Sequence, residues 1–120
     1  MKKIYLASPY SHPDPQVMEN RFITICIVAG VLMSKGYTVF SPIAHSHPIA
    51  QHLCNPLNHG FWLEQDLQFL QNWADEMWVC MMDGWDASKG IQIEAQEAIS
   101  NNINIKYFRV EDADGIDNEH

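Results

Sequence analysis

Positive charge is scarce in this chain. Its 120 residues hold 7 Lys and Arg against 15 Asp and Glu, a formal net charge of −8. The basic residues Lys2, Lys3, Arg21, Lys35, Lys89, Lys106 and Arg109 are scattered. Nucleic-acid binding needs them clustered against a phosphate backbone, so that class is excluded. A small anion needs only one or two, so a nucleotide remains a candidate partner. Cysteine is also sparse and odd in number: Cys26, Cys54 and Cys80. They are expected in apolar settings, as free thiols in a reducing cytoplasm rather than a disulfide framework. No long hydrophobic run is present. The longest apolar stretch, 23–33, is broken by Thr24 and Gly30 and reads as too short to span a membrane. Met1–Lys3 lacks the pattern of a signal peptide, so a cytoplasmic protein is expected.

Metal motifs are missing too. There is no CxxC and no HExxH, and the run His45-x-His47-x4-His52-x-Cys54 fits no zinc spacing. A His-dependent metal hydrolase is therefore the weakest of three functional readings, and no metal or cofactor is expected.

What is present is apolar material: 47% of the residues are hydrophobic, enough for one core. Residues 1–110 read as a single domain and 111–120 as an acidic tail that frays. Strands are expected at Lys3–Ala7, Tyr37–Ser41, Met77–Met82 and Ile103–Phe108. Helices are expected at Gln16–Lys35, Phe61–Trp73 and Ser88–Asn101, with Gly36 as a helix stop. On the first helix Phe22, Cys26, Ala29 and Met33 recur at helical steps. The stretch 43–60 reads as irregular, with a short helical turn near Ile49–Leu53 and with Pro42, Pro48 and Pro56 as breakers. Strands alternating with helices give an α/β, three-layer, flavodoxin/Rossmann-like fold. Its parallel sheet is expected to have four strands, or five, in the order 2-1-3-4.

Ligands on such sheets bind beyond the carboxyl ends of the strands. That edge comprises Ser8–Asp14, Ser41–His47, Asp83–Gly90 and the loop after the fourth strand. Ser88 reads as a helix N-cap, Gly90 would let a ligand approach the backbone, and free N–H groups there favour an anion. Glu94 lies one turn on, bordering an expected buried stripe of Ile91, Ala95, Ala98 and Ile99. Spacing alone leaves it open between an exposed helix glutamate and a site carboxylate. Asp66 has Trp62, Leu63, Phe69 and Leu70 as its helical neighbours. A carboxylate in an apolar stripe is either paired structurally or functional. His45 and His47 are placed at the pocket rim, and Trp85 either stacks on a base or forms a hydrophobic lid. Trp62, Trp73 and Trp78 are expected in the core. Arg21 either binds phosphate or pairs with a surface acid such as Glu19, and the surface pairing is favoured.

Three stretches carry a resemblance. Asp66-x-x-Phe69-Leu70-x-x-x-Ala74-Asp75-x-x-Trp78-Val79 followed by Ser88-x-Gly90-x-x-x-Glu94-x-x-x-Ala98 resembles the nucleoside 2-deoxyribosyltransferase-like superfamily, which includes 2′-deoxynucleoside 5′-phosphate N-hydrolases. Ile4-Tyr5-Leu6-Ala7-Ser8-Pro9-Tyr10 is similar to its first strand and glycosyl-site loop. Ser41-Pro42-Ile43-Ala44-His45-Ser46-His47-Pro48 looks like the DUF1937 branch. The resemblance implies an N-glycosidase or deoxyribosyltransferase acting on a nucleoside or its 5′-monophosphate. It makes Glu94 the carboxylate that attacks or stabilises the anomeric carbon, Asp66 the acid that manages protons on the base or contacts the sugar, Ser88 a phosphate contact and Tyr10 a glycosyl-site residue. It also implies a homodimer or higher homo-oligomer. The alternative is a non-catalytic nucleotide-binding or sensor module on the same fold.

Overall fold

The computed structural model describes residues 1–54 and 58–116. Four strands, β1 (Lys3–Ala7), β2 (Thr38–Phe40), β3 (Glu76–Cys80) and β4 (Asn104–Phe108), form one sheet ordered β2-β1-β3-β4. All three pairings are parallel, with Tyr5 beside Phe40 on one flank and Met77 on the other. The expected α/β class and strand order both stand. Among the described residues four helices complete the layers: α1 (Pro15–Ser34), α2 (Pro42–Ala50), α3 (His59–Asn72) and α4 (Lys89–Ser100).

Strand side chains alternate between the two faces, and this splits the core in two. Ile4, Leu6, Trp78 and Cys80 pack with Ile25, Val28 and Leu32 of α1. Tyr5, Ala7, Met77 and Val79 pack with Leu70 of α3 and with Ile91 and Ala98 of α4. Each fully buried aliphatic side chain contributes roughly 1.5–3 kcal/mol. Tyr5 belongs to the second face, and its hydroxyl is what makes that face more than a core.

Helix α1 starts where Asp14 Oδ1 accepts from Gln16 N at 2.9 Å, with Pro15 in the first turn. It stops at Gly36, whose φ of 100° lies in the left-handed region. Its buried face is Ile25, Val28, Ala29 and Leu32, not the expected Phe22–Cys26–Ala29–Met33 line. Cys26 and Met33 point outward, beside exposed Ile23 and Ile27. A helix apolar on every side gives its periodicity no face to select. By length and composition alone α1, at a mean hydropathy of 1.5, is also long and apolar enough to cross a membrane, contrary to the expectation from the 23–33 stretch. Here its inner side packs on the sheet.

Helix α2 is a correction to the irregular stretch. Ser41 is its N-cap, accepting from Ala44 N at 3.1 Å, and Pro42 begins the helix rather than ending the strand. Pro48 is carried inside it. Pro56 lies outside the described residues. The cysteines are free as expected, but Cys54, like Cys26, is exposed; only Cys80 is buried, where burial pushes its thiol up to about 12. Trp78 is in the core, while Trp62 and Trp73 are half-buried. The acidic segment after β4 does not begin as a fraying tail: Val110–Gly115 forms a 3-10 turn that buries Ala113 against α1. Residues 117–120 of the expected tail lie outside the described residues.

Candidate active site

Helix α4 begins where Ser88 Oγ accepts from Ile91 N at 3.2 Å, so the expected N-cap is in place. Its buried residues are Ile91, Glu94 and Ala98, at steps of three and four. Ile99, expected in the stripe, is 68% exposed, and Ala95 is half-buried. The helix is rolled so that Glu94 sits inside the stripe rather than on its border. There the Tyr5 hydroxyl donates to Glu94 Oε2. Tyr5 is fully buried, and a buried phenol needs such a partner.

Asp66 reaches the same place from α3. Asp66 and Leu70 are the buried residues of that helix, so a carboxyl group stands on its inward face beside Leu67 and Leu70. Its charge is felt by both Tyr5 and Glu94. Burial dominates the electrostatics of all three groups. It raises Asp66 to about 7. It raises Glu94 to about 8, with the Tyr5 hydrogen bond pulling down and the Asp66 charge adding. Burial first, then Glu94 and Asp66, holds the Tyr5 phenol well above its ordinary value. Two carboxyl groups and a phenol therefore share one water-poor spot beneath the strand ends.

Around them the remaining candidates are dispersed along the same edge. Ser8, directly after β1, is buried, and among the described residues its Oγ alone is a buried side-chain polar atom without a hydrogen-bond partner. Such an orphan costs about 1–3 kcal/mol. A Cβ on Gly90 would lie 3.8 Å from both His59 Cε1 and Ser88 Oγ, ordinary contact, so the fold itself does not demand glycine there. Trp85, in a 3-10 turn at Trp85–Ala87, rests 5.7 Å from the Tyr107 ring of β4. His45 is on α2, not in a loop, its ring 5.4 Å from Phe40, which in turn neighbours Tyr5. Tyr10 is bonded to His47 at 2.6 Å. Among the described residues no three His, Cys, Asp or Glu side chains converge as metal ligands.

Arg21 follows neither expected use. Its guanidinium donates to three backbone carbonyls: Tyr10 O at 3.3 Å, Ser11 O at 3.1 Å and Asp83 O at 3.0 Å. It thereby ties the loop after β1 to the loop after β3. Gly84, with a φ of 90°, makes room for it, since a Cβ there would lie 2.5 Å from Arg21 Nη2.

Sequence reasoning missed Tyr5. The one available signal was a phenol inside a strand expected to be buried on both faces. A cavity of about 320 Å³ lies elsewhere, bordered by Lys2, Trp78, Lys106 and Ile116. It contains neither carboxylate, and both of its lysines are paired with Glu76.

Residues 2–109 match the profile of the domain of unknown function DUF1937. The chain belongs to the DUF1937 family. No curated protein matches it. Among solved structures, this DUF1937 protein is similar to a 2-deoxyribosyltransferase from the psychrotolerant bacterium Bacillus psychrosaccharolyticus, at 24% identity and a TM-score of 0.64. The match covers 89% of this chain and 72% of that one. The DUF1937 chain thus shares the overall fold of that 2-deoxyribosyltransferase.

Proposed function

We propose that this protein breaks or transfers the N-glycosidic bond of a nucleoside, deoxynucleoside or nucleoside 5′-monophosphate, with Glu94 at the anomeric carbon. The observation that carries this reading is the Tyr5–Glu94–Asp66 cluster, buried at the binding edge of a deoxyribosyltransferase fold. Keeping two carboxyl groups and a phenol in an apolar layer is costly, and functional sites are where such costs concentrate.

The chemistry uses each group once. Breaking a ribosyl C–N bond builds positive charge on the sugar, and an ionised Glu94 stabilises or captures it. Tyr5 holds the carboxylate by hydrogen bonding to its charged form. The departing base takes a proton, which Asp66, raised to about 7, supplies. Water attacking the sugar returns its proton to Asp66 and completes hydrolysis; a second base in place of water completes transfer. Between about pH 7 and 8 the pair holds one proton, and the higher value of Glu94 places it there in the free protein. The productive form is the other arrangement, Glu94 ionised and Asp66 protonated, reached when the proton shifts to Asp66 as positive charge develops on the sugar beside Glu94. The unpartnered Ser8 hydroxyl and the capped start of α4 are suited to the sugar or its phosphate.

The test is a panel of ribonucleosides, deoxynucleosides and their 5′-monophosphates incubated with purified protein, with free base read by chromatography. Base release from one class supports the reading. Binding of these compounds without release of base from any of them favours the sensor alternative and sinks the enzyme.

A further inference from the structure

Glu19, His47 and Tyr10 form a second polar cluster, part-buried around His47, that the proposed chemistry does not use. His47 is only 9% exposed, on α2. Its Nε2 lies 2.8 Å from Glu19 Oε2, and its Nδ1 lies 2.6 Å from the Tyr10 hydroxyl. Phe22 stacks on the imidazole at 4.1 Å, and the Tyr10 ring meets it edge-on at 5.6 Å. The ring is therefore fixed in plane and in rotation by two residues of α1 and one of the loop after β1.

The hydrogen-bond direction follows from the donor inventory. An ionised carboxylate only accepts, so Nε2 of the neutral ring carries the hydrogen. Gln51 Nε2 is placed 3.1 Å from the same ring nitrogen; two N–H groups cannot face each other, so this tautomer requires the Gln51 amide turned over, with its oxygen toward His47 Nε2. Nδ1 is left bare and accepts from Tyr10. Burial and the Glu19 charge raise the Tyr10 phenol above its ordinary value, so it keeps its proton at neutral pH. With that proton spent on His47, the Tyr10 oxygen offers only lone pairs to anything else. The other end of the residue is held as well, because Arg21 donates to the Tyr10 carbonyl. Glu19 and Arg21, two positions apart on α1, thus fix the same residue through its hydroxyl and its backbone.

We propose that His47, locked in one tautomer by Glu19, is a positioning residue that presents Tyr10 as a pure hydrogen-bond acceptor, selecting substrates that carry a donor, a hydroxyl or an amine, at that point. The substrate part rests on the N-glycosidase reading, in which the loop after β1 borders the site. Preorganisation of this kind lowers the ordering cost of binding.

Two measurements test it. Nitrogen-15 NMR of the histidine rings, with no substrate present, reads the tautomer. The expected result is an unprotonated Nδ1 on His47 in the wild type and a mixed tautomer in Glu19→Gln. A protonated Nδ1 in the neutral wild-type ring overturns the inference. Kinetics on the substrate found by the panel read the consequence. Tyr10→Phe is expected to raise KM about fivefold with kcat changed far less, the worth of one neutral hydrogen bond. His47→Leu should match it, and His47→Asn, which restores an acceptor near the Nδ1 position, should recover part of the loss. Equal KM in all four proteins overturns the inference. A wild type inactive on every substrate overturns the functional reading instead, and the NMR result still decides the hydrogen-bond chain.

Discussion

Tyr5 and Glu94 are 89 residues apart in sequence and joined by a hydrogen bond in the buried layer between the sheet and α4. The phenol is the donor, so it favours the ionised carboxylate against the desolvation that opposes it. Tyr5→Phe removes only that hydrogen bond and keeps the packing. It is expected to lower kcat roughly 10- to 100-fold, the worth of a hydrogen bond to a charged group. The alkaline edge of the pH–rate window should move up, because the upper proton of the pair is held more tightly. A pH profile of both proteins checks this; identical profiles would separate Tyr5 from the chemistry.

Glu94 also sets how stability depends on pH. Its carboxyl has an ordinary value of 4.5 and is raised to about 8 in the fold. Between those values the native state keeps a proton that the unfolded chain has lost. Stability is therefore fully present below about 4.5 and declines as pH rises through about 8. Asp66, raised to about 7, acts in the same direction. Glu94→Gln should flatten the decline and make the protein more stable than wild type at pH 8, by an amount of order a few kcal/mol. Urea unfolding at pH 5, 7 and 8.5 measures it.

Ser8 separates a ligand contact from a structural one. Because its buried hydroxyl has no partner, Ser8→Ala should leave the free protein equally stable or more stable, by about 1 kcal/mol. Nucleoside affinity should fall in the same variant. Thermal melts with and without ligand give both values, and a destabilised protein with unchanged affinity would make Ser8 structural.

Gly84 carries two constraints that can be told apart. A side chain there meets the left-handed backbone and the Arg21 guanidinium. Gly84→Ala is expected to cost about 1–3 kcal/mol. In an Arg21→Ala background the clash is gone, and the cost should shrink to the backbone part. A double-mutant cycle on the unfolding free energy reads the coupling.

The architecture was legible because strands alternating with helices leave few parallel topologies, and 2-1-3-4 was among them. The Ser88 cap and the apolar surroundings of Asp66 were equally visible, since both depend on neighbours within one turn. What failed depended on rotation about a helix axis. The inner face of α1 was misassigned because nearly every residue from Phe22 to Met33 is apolar or small, and Glu94 looked peripheral because Ile99 outweighed it in hydropathy. Helix α2 was hidden by proline, read as a stop at Pro42 where it is a start. Tyr5 and the Glu19–His47–Tyr10 chain join elements far apart in sequence, and no local pattern carries that information.

In the proposed reaction the Glu94 carboxylate performs the bond cleavage. The most direct test of that role compares wild type with Glu94→Gln on the same nucleoside, following base release and, separately, binding by calorimetry. Glu94→Gln is expected still to bind the nucleoside while base release falls by about 10²–10³-fold or more. Base release undiminished in Glu94→Gln would contradict it.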